Sequence, residues 1–167
     1  MEQLDARVRI RPADPDDFDA IADLTVGTYV GEGHVHPDSP YVSELADTAT
    51  RAAAAEVLVA VRDSQVVGSL TIARPGTPYA DIARPGELEF RMLAVSEQAR
   101  GAGVGTALVR TVIDTAAAEG FPAVVLTTMP AMAAARRIYQ RLGFEHVPER
   151  DWFTDNGIPL TVMRRAG

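Results

Sequence analysis

The stretch Ala99–Gly105, ARGAGVG, places three glycines and one arginine between an apolar run and a segment typical of a helix. The apolar run is FRMLAV (90–95), and the helical segment is TALVRTVIDTAAA (106–118). Glycine lets the backbone approach a ligand closely, and the first N–H groups of a helix have no partner within it. An anion satisfies those groups. The stretch therefore predicts an anion site where a strand leads into a helix.

Two well-known phosphate-binding motifs do not fit this stretch. A P-loop needs a lysine, and all 16 basic residues of the chain are arginine. A dinucleotide-binding fingerprint needs a third glycine or alanine where Thr106 stands, and an acidic residue where TTMP (127–130) follows the next strand. A glycine-rich turn that only joins a strand to a helix remains an alternative for the stretch taken alone.

The composition predicts an ordinary globular domain. A length of 167 residues is typical of a single domain, here residues 1–167. Hydrophobic residues make up 47% of the chain, and no apolar run approaches the length of a membrane span. The net charge of -7 argues against a non-specific nucleic-acid surface. We therefore expect a soluble protein that binds neither nucleic acid nor membrane.

The chain has no cysteine, which excludes disulfides, thiolate nucleophiles and cysteine-based zinc sites. Its start, MEQLDARVRIRPADPDD, is acidic and already strand-like, so we expect no signal peptide. Both features agree with a reducing compartment, and the expected location is cytoplasmic.

Hydrophobic periodicity and turn residues divide the chain into strands and helices. Strands are predicted at 8–13, 56–62, 66–73, 87–95 and 123–128, helices at 14–30, 41–55, 103–119 and 130–143, and two further strands around a turn at DNG (155–157). This order predicts an α+β fold around one mixed sheet. The parallel β-α-β crossover places ARGAGVG at the carboxyl end of a central strand, where open α/β sheets bind ligands. The two tail strands are free either to close the sheet or to pair across a homodimer.

Two motifs at a fixed spacing resemble one family. Arg100-x-x-Gly103-x-Gly105 resembles the acetyl-CoA pyrophosphate motif of the GCN5-related N-acetyltransferase (GNAT) superfamily, Gln/Arg-x-x-Gly-x-Gly/Ala. About thirty residues on, ARRIYQRLGF (135–144) resembles the second motif of that family, Ala-x-x-x-Tyr-x-x-x-Gly-Phe. With the strand order, the resemblance covers nearly the whole chain. It implies a GNAT-like mixed central β-sheet of about seven strands flanked by about four helices.

The resemblance implies an N-acetyltransferase in which an amine attacks acetyl-CoA directly in a ternary complex. The acceptor is a primary amine on a small molecule or on a protein or peptide, and no metal is implied. A non-catalytic acyl-CoA sensor or interaction module on the same fold is the alternative function.

The resemblance also implies which residues hold coenzyme A. Its pyrophosphate lies on the turn and helix start, formed by Arg100, Gly101, Ala102, Gly103, Val104, Gly105 and Thr106. Arg100 supplies positive charge, and Arg136 or Arg137, next to Ala135 of the second motif, reaches the other phosphate. For each arginine, a solvated helix face is the alternative.

In the family, the strands on either side of the first motif separate, and their backbones pair with the pantetheine arm. The corresponding edges are Leu93, Ala94 and Val95 on one strand and residues 126–128 on the other. Backbone N–H groups near 93–95 would then polarise the thioester carbonyl and stabilise the oxyanion. A plain buried strand is the alternative.

Aminolysis of a thioester needs a proton for the departing thiolate and a neutral attacking amine. Tyr139 is the candidate acid by the resemblance, although a tyrosine on this helix face is ordinarily a core residue. Glu87, Glu89 and Arg91 share one face of their strand. The family often places a carboxylate here that deprotonates the amine through water, with Glu89 first and Glu87 second. A structural pair with Arg91, or bulk water as the base, is the alternative.

Three further features complete the sequence-based expectations. Met132 stands where many members carry an asparagine that binds the pantetheine arm, so that contact is lost or taken over by backbone. His34 and His36 have a metal-like spacing but are interpreted as loop residues, since no third ligand clusters with them. Trp152 is expected either to line the acceptor pocket or to cover the sheet edge.

Overall fold

The structure, a computed structural model, describes residues 4–129, 131–155 and 157–167. The described helices are α1 (Phe18–Gly31), α2 (Tyr41–Ala46), α3 (Thr48–Ala54), α4 (Val104–Ala118) and α5 (Ala133–Arg141). The described strands are β1 (Val8–Pro12), β2 (Glu56–Arg62), β3 (Gln65–Ala73), β4 (Glu87–Val95), β5 (Ala123–Thr128), β6 (Glu145–His146), β7 (Trp152–Phe153) and β8 (Pro159–Ala166). The first residue of the predicted helix at 130–143 and the middle of the predicted DNG turn lie outside the described residues.

The strands run in the order β1-β2-β3-β4-β5-β8-β6, with β7 paired to β8 outside this path. β4 and β5 are parallel, and the other described pairs are antiparallel. The α+β class, the mixed sheet and the parallel crossover are therefore confirmed. The tail forms three strands instead of the two predicted, namely the two-residue strands β6 and β7 and the eight-residue strand β8, which makes eight strands in the described residues. β6 and β8 extend the sheet of this chain, and a homodimer stays a prediction.

The single helix predicted over 41–55 is divided at Asp47. The backbone of Asp47 (φ -87°, ψ 70°) leaves the helical region and ends α2. Its carboxylate accepts the N–H of Thr50 at 3.2 Å and the hydroxyl of Thr50 at 2.7 Å, which caps α3. Aspartate competes in this way with helix continuation, so the part of the chain that the structure describes has five α-helices, where about four were predicted.

Alternate residues of β2 bury the two faces of the sheet. Leu58 and Ala60 belong to the large core that packs against α4, whereas Val57 and Val59 pack with Ile21 of α1. Helix α4 lies close to the sheet because Gly68 has no side chain, and a Cβ there would stand 2.6 Å from Val104 Cγ1. Gly68 pairs with Val95, the last residue of β4, so this close contact holds the start of α4 beside the end of β4.

A bulge in β4 and the separation of β4 from β5 shape the centre of the sheet. Met92 has φ 59°, which is rare for a residue with a side chain, and the register between β3 and β4 shifts beside it. The parallel pairing of β4 with β5 runs only from Glu87 with Ala123 to Phe90 with Leu126. Beyond Phe90 the two strands part, as the resemblance implied.

Candidate active site

A cavity of about 400 Å³ opens where β4 and β5 part. Its walls come from the end of β4, the turn at 100–103, the first turns of α5 and the end of α1. The cavity thus adjoins the two sequence motifs.

The glycine-rich turn has the geometry expected of an anion site. Gly101 and Gly103 have φ values of 85° and 78°, a conformation that favours glycine. Gly103 is the N-cap of α4 and provides no side-chain cap, so the first N–H groups of this helix remain available to a ligand. Gly105 has a different reason to be glycine, because a Cβ there would stand 2.9 Å from Ile138 Cδ1 of α5. Gly101 and Gly103 thus allow the backbone conformation of the turn, and Gly105 allows α4 and α5 to pack closely.

Most of the predicted coenzyme A residues line this cavity. They are Leu93, Val95, Arg100, Gly101, Gly103, Val104, Gly105 and Ala135. Of the two arginines considered for the second phosphate, Arg137 lines the cavity and Arg136 does not. Ala94, Ala102 and Thr106 also lie outside its lining, and Thr106 faces a second cavity of about 330 Å³. Contacts of all twelve residues with coenzyme A stay a prediction, and the cavity lining favours the eight named first.

Sequence reasoning missed the cavity wall that the end of α1 and the residues after it contribute. Thr28, Glu32 and His34 all line the cavity. Glu32 forms an ion pair with Arg100, and its other oxygen lies 3.9 Å from Nε2 of His34. Glu32 and Arg100 are 68 residues apart in the chain, so only the tertiary fold brings them together.

The Met92 bulge is a second feature that sequence reasoning missed. It directly precedes Leu93–Val95, the segment whose N–H groups were predicted to polarise a carbonyl. Tyr29 donates its hydroxyl to the carbonyl oxygen of Leu93 at 3.3 Å and packs with Met92 in a small core. A bulge changes the direction of backbone groups, so Met92 and Tyr29 set how this segment faces the cavity.

Tyr139 is buried between aromatic rings rather than on the cavity wall. Its ring lies edge-on to Phe90 and Phe144, with centroids at 5.7 and 6.0 Å. Burial raises the pKa of the Tyr139 hydroxyl above its ordinary value of 10.0, at which the group is already protonated at neutral pH, and makes it a weaker acid. A protonated hydroxyl is what a general acid requires, and the catalytic role stays a prediction.

Glu89 is fully buried beneath the loop 74–86 that joins β3 to β4. Its Oε1 accepts the N–H groups of Ile82 and Ala83, both at 3.0 Å. Its Oε2 has no hydrogen-bond partner within the described chain. Burial raises the pKa of this carboxyl group, which brings it nearer to the value useful for a base. Glu89 does not line the cavity.

Glu87 has a structural environment that differs from the one predicted. Its carboxylate accepts hydrogen bonds from Arg150 at 2.8 Å and Arg164 at 2.9 Å. Burial alone would raise the pKa of Glu87, but these bonds and one from the N–H of Arg84 outweigh it and lower the pKa to about 2. So acidic a group is a poor base at neutral pH. The geometry therefore favours Glu87 as a clamp between β4 and the tail, in place of the second candidate base.

Arg91 pairs with neither glutamate of its own strand, which was the alternative to a catalytic role for them. It donates to the carbonyl of Tyr79 and the hydroxyl of Tyr41, each at 3.1 Å. Its ion-pair partners are Asp81 at 3.3 Å and Glu44 at 3.6 Å. Arg91 thus ties loop 74–86 to α2.

The last two residues singled out in the sequence, Met132 and Trp152, lie on or near the sheet and α5. Met132 lines the cavity as the N-cap of α5. Trp152 is half-buried on β7 and approaches Thr127 of β5, with 3.4 Å from Nε1 to Oγ1. The described residues hold no cluster of three or more His, Asp or Glu arranged to bind a metal ion. Among the described helices, none is long and apolar enough to cross a bilayer.

The sequence profile of the Acetyltransferase (GNAT) family matches residues 18–144. The chain belongs to this family. Human N-acetylaspartate synthetase is 33% identical over 107 residues, which are 64% of this chain and 33% of the synthetase. A probable N-acetyltransferase camello of Xenopus tropicalis is 39% identical over 87 residues, 52% of this chain and 37% of that protein. The chain thus spans about a third of the length of these relatives.

Solved GNAT structures share the fold along almost the whole chain. A GCN5-related N-acetyltransferase from Kribbella flavida has a TM-score of 0.72 and 28% identity, and the match covers 96% of this chain and 98% of that one. The yncA protein of Salmonella typhimurium, solved with its cofactor acetyl-CoA, has a TM-score of 0.70 and 22% identity, with 96% and 94% covered. The GNAT sheet is therefore confirmed.

Proposed function

We propose that this GNAT protein transfers the acetyl group of acetyl-CoA to a primary amine. The observation that carries the proposal is the uncapped start of α4, behind Gly103, which opens into the cavity where β4 and β5 part. The arrangement suits a ligand with an anionic diphosphate at one end and a slender arm at the other. The names of the relatives and the acetyl-CoA held by yncA support the same chemistry.

Acetyl-CoA supplies an activated thioester, and the chain has to hold it, orient its carbonyl and move two protons. The turn at 100–105 holds the diphosphate through backbone N–H groups and the Arg100 guanidinium, and Arg137 adds positive charge from α5. The backbone after the Met92 bulge orients the carbonyl and stabilises the developing oxyanion. Tyr139 protonates the thiolate, and the free Oε2 of Glu89 receives the amine proton through water.

We take the acceptor to be a primary amine. The name of the related synthetase favours the amino group of a free amino acid over an amino group on a protein. That name describes an N-acetylated amino acid and belongs to a protein of which this chain matches a third. Amines on peptides remain second candidates. We also propose a cytoplasmic location, since a chain without cysteine suits a reducing compartment.

The test is release of free coenzyme A thiol from acetyl-CoA with a panel of amines: aspartate, glutamate, spermidine, a peptide with a free N-terminus, and a lysine peptide with a blocked N-terminus. We expect thiol release that depends on one class of amine, and the matching N-acetyl product by mass spectrometry. Tight acetyl-CoA binding without thiol release for any amine would favour the sensor instead.

A further inference from the structure

The cation predicted for the diphosphate is already paired with a carboxylate. Nη2 of Arg100 donates to Oε2 of Glu32, which is the C-cap of α1. Both residues line the cavity, and the ion pair joins the end of α1 to the glycine-rich turn. Arg100 is 48% exposed and Glu32 30% exposed at the side chain, which leaves both accessible to an incoming ligand.

We infer that Glu32 competes with the diphosphate of acetyl-CoA for Arg100, and that this competition sets the affinity for both acetyl-CoA and the product coenzyme A. The inference rests on the proposed function, because it takes the ligand to be a coenzyme A thioester. It adds a residue on α1, outside both sequence motifs, that determines how tightly the cosubstrate is held.

Charge decides the direction of the effect. Two unit charges in contact attract or repel each other even in bulk water, and more strongly near a protein surface. A diphosphate brings at least two negative charges to Arg100, so it repels the Glu32 carboxylate while it attracts the guanidinium. A solvent-accessible ion pair adds little to the stability of the fold, so opening the Glu32–Arg100 pair costs little. The guanidinium also binds phosphate oxygens in a two-point geometry that its single contact with Glu32 lacks.

His34 offers the displaced carboxylate a second partner. Its Nε2 lies 3.9 Å from Oε1 of Glu32, and its ring packs edge-on to Tyr29 at 6.5 Å between centroids. Arg137 and Arg141 are the charged groups that line the cavity from α5. When Arg100 turns to the diphosphate, Glu32 stays beside His34 at the cavity wall. Coenzyme A binding and the Glu32–Arg100 pair are then mutually exclusive.

The experiment measures binding of coenzyme A to the full chain by titration calorimetry at low ionic strength. Glu32→Gln removes the competing charge with little change in shape, and we expect it to tighten binding by about 5- to 30-fold. Glu97→Gln is the matched control, because Glu97 is an exposed glutamate three residues before Arg100 and outside the cavity lining. It should change the affinity by less than about twofold. S-acetylpantetheine, which lacks the diphosphate, should bind wild type and Glu32→Gln equally.

Two further measurements separate the inference from its alternatives. In an Arg100→Gln background, the gain from Glu32→Gln should largely disappear, and a full gain there would show that Arg100 is not what Glu32 competes for. A Glu32→Gln chain that binds coenzyme A no more tightly than Glu97→Gln, or more weakly than wild type, overturns the inference while wild-type binding preserves the proposed function. A wild-type chain that binds neither probe overturns the proposed function, and the inference with it.

Discussion

The hydroxyl of Tyr139 is the smallest group whose removal separates an enzyme from a sensor. Tyr139→Phe keeps the ring that packs on Phe90 and Phe144. We expect kcat to fall by about 10²–10⁴-fold, the usual value of general-acid assistance, while acetyl-CoA affinity stays within a few-fold. The free energy of unfolding should change by about 0.5–1.5 kcal/mol at most. Steady-state kinetics and urea unfolding check both; turnover at the wild-type rate would leave Tyr139 a packing residue.

Glu89 combines a raised pKa with one oxygen that has no hydrogen-bond partner in the described chain. A base works only when deprotonated, so the wild-type rate should fall as the pH drops through the raised pKa of Glu89. Glu89→Gln keeps an acceptor for the N–H groups of Ile82 and Ala83 but accepts no proton. We expect a lower kcat/KM, and an acidic limb that follows the titration of the amine alone. A pH–rate profile identical to wild type would assign the proton to water.

Glu87, on the same strand, should stabilise the fold in a pH-dependent way. Its pKa is lowered to about 2 in the folded chain by Arg150 and the other donors, against burial. A lowered pKa contributes stability above the unfolded value of 4.5, and that contribution is lost as the pH falls towards 2. Glu87→Gln should therefore cost about 2–4 kcal/mol at pH 7, since it leaves the largely buried Arg150 unpaired. In urea unfolding, the difference from wild type should shrink between pH 4.5 and pH 2; a difference independent of pH would contradict the ion pair.

Helix α4 has a glycine with the same positive φ at each end. Gly103 before the helix and Gly120 after it both have φ 78°. A side chain at either position costs about 1–2 kcal/mol of backbone strain, so Gly103→Glu and Gly120→Glu should lose similar stability and keep their circular dichroism spectra. Only Gly103→Glu places a carboxylate where the diphosphate binds, and it should weaken acetyl-CoA binding by at least about tenfold. Equal affinity in a titration of the two variants would refute the anion site.

Elements with strong local signals could be predicted from the sequence, whereas features that depend on tertiary contacts could not. The run 87–95, the turn at 100–105 and the helix after it have local signals, namely apolar length, glycines and periodicity, and these elements were predicted within a residue or two. The break at Asp47 depends on whether one side chain caps a helix or points to solvent, and the pattern of apolar residues does not decide this. The Met92 bulge arises from fitting β4 to both neighbours, and methionine carries no signal for φ 59°. The Glu32–Arg100 and Glu87–Arg150 pairs join distant segments, so they become visible only in the folded chain.

The sheet of the whole molecule consists of two halves that meet at β4 and β5. β1 to β4 form an antiparallel meander that α1, α3 and α4 cover, and β5, β8 and β6 form a second unit joined to it by four parallel pairs. The cavity lies where this narrow junction ends. Beyond Phe90, β4 has no pairing with β5, and Leu93 and Val95 of β4 line the cavity. An extended cosubstrate arm bound there would complete the pairing that β4 lacks.

This arrangement predicts how the two substrates meet. The cavity is one continuous space, and a chain without cysteine has no thiolate to carry an acetyl group between substrates. We therefore predict that the amine attacks while acetyl-CoA is bound, and initial rates measured against both substrates should give intersecting double-reciprocal lines. Incubation with acetyl-CoA alone should leave the mass of the protein unchanged. Parallel lines, together with an acetylated chain that passes its acetyl group to added amine, would instead require a covalent intermediate on a serine, a tyrosine or a histidine such as His34, and would move the chemistry from the bulge in β4 to that side chain.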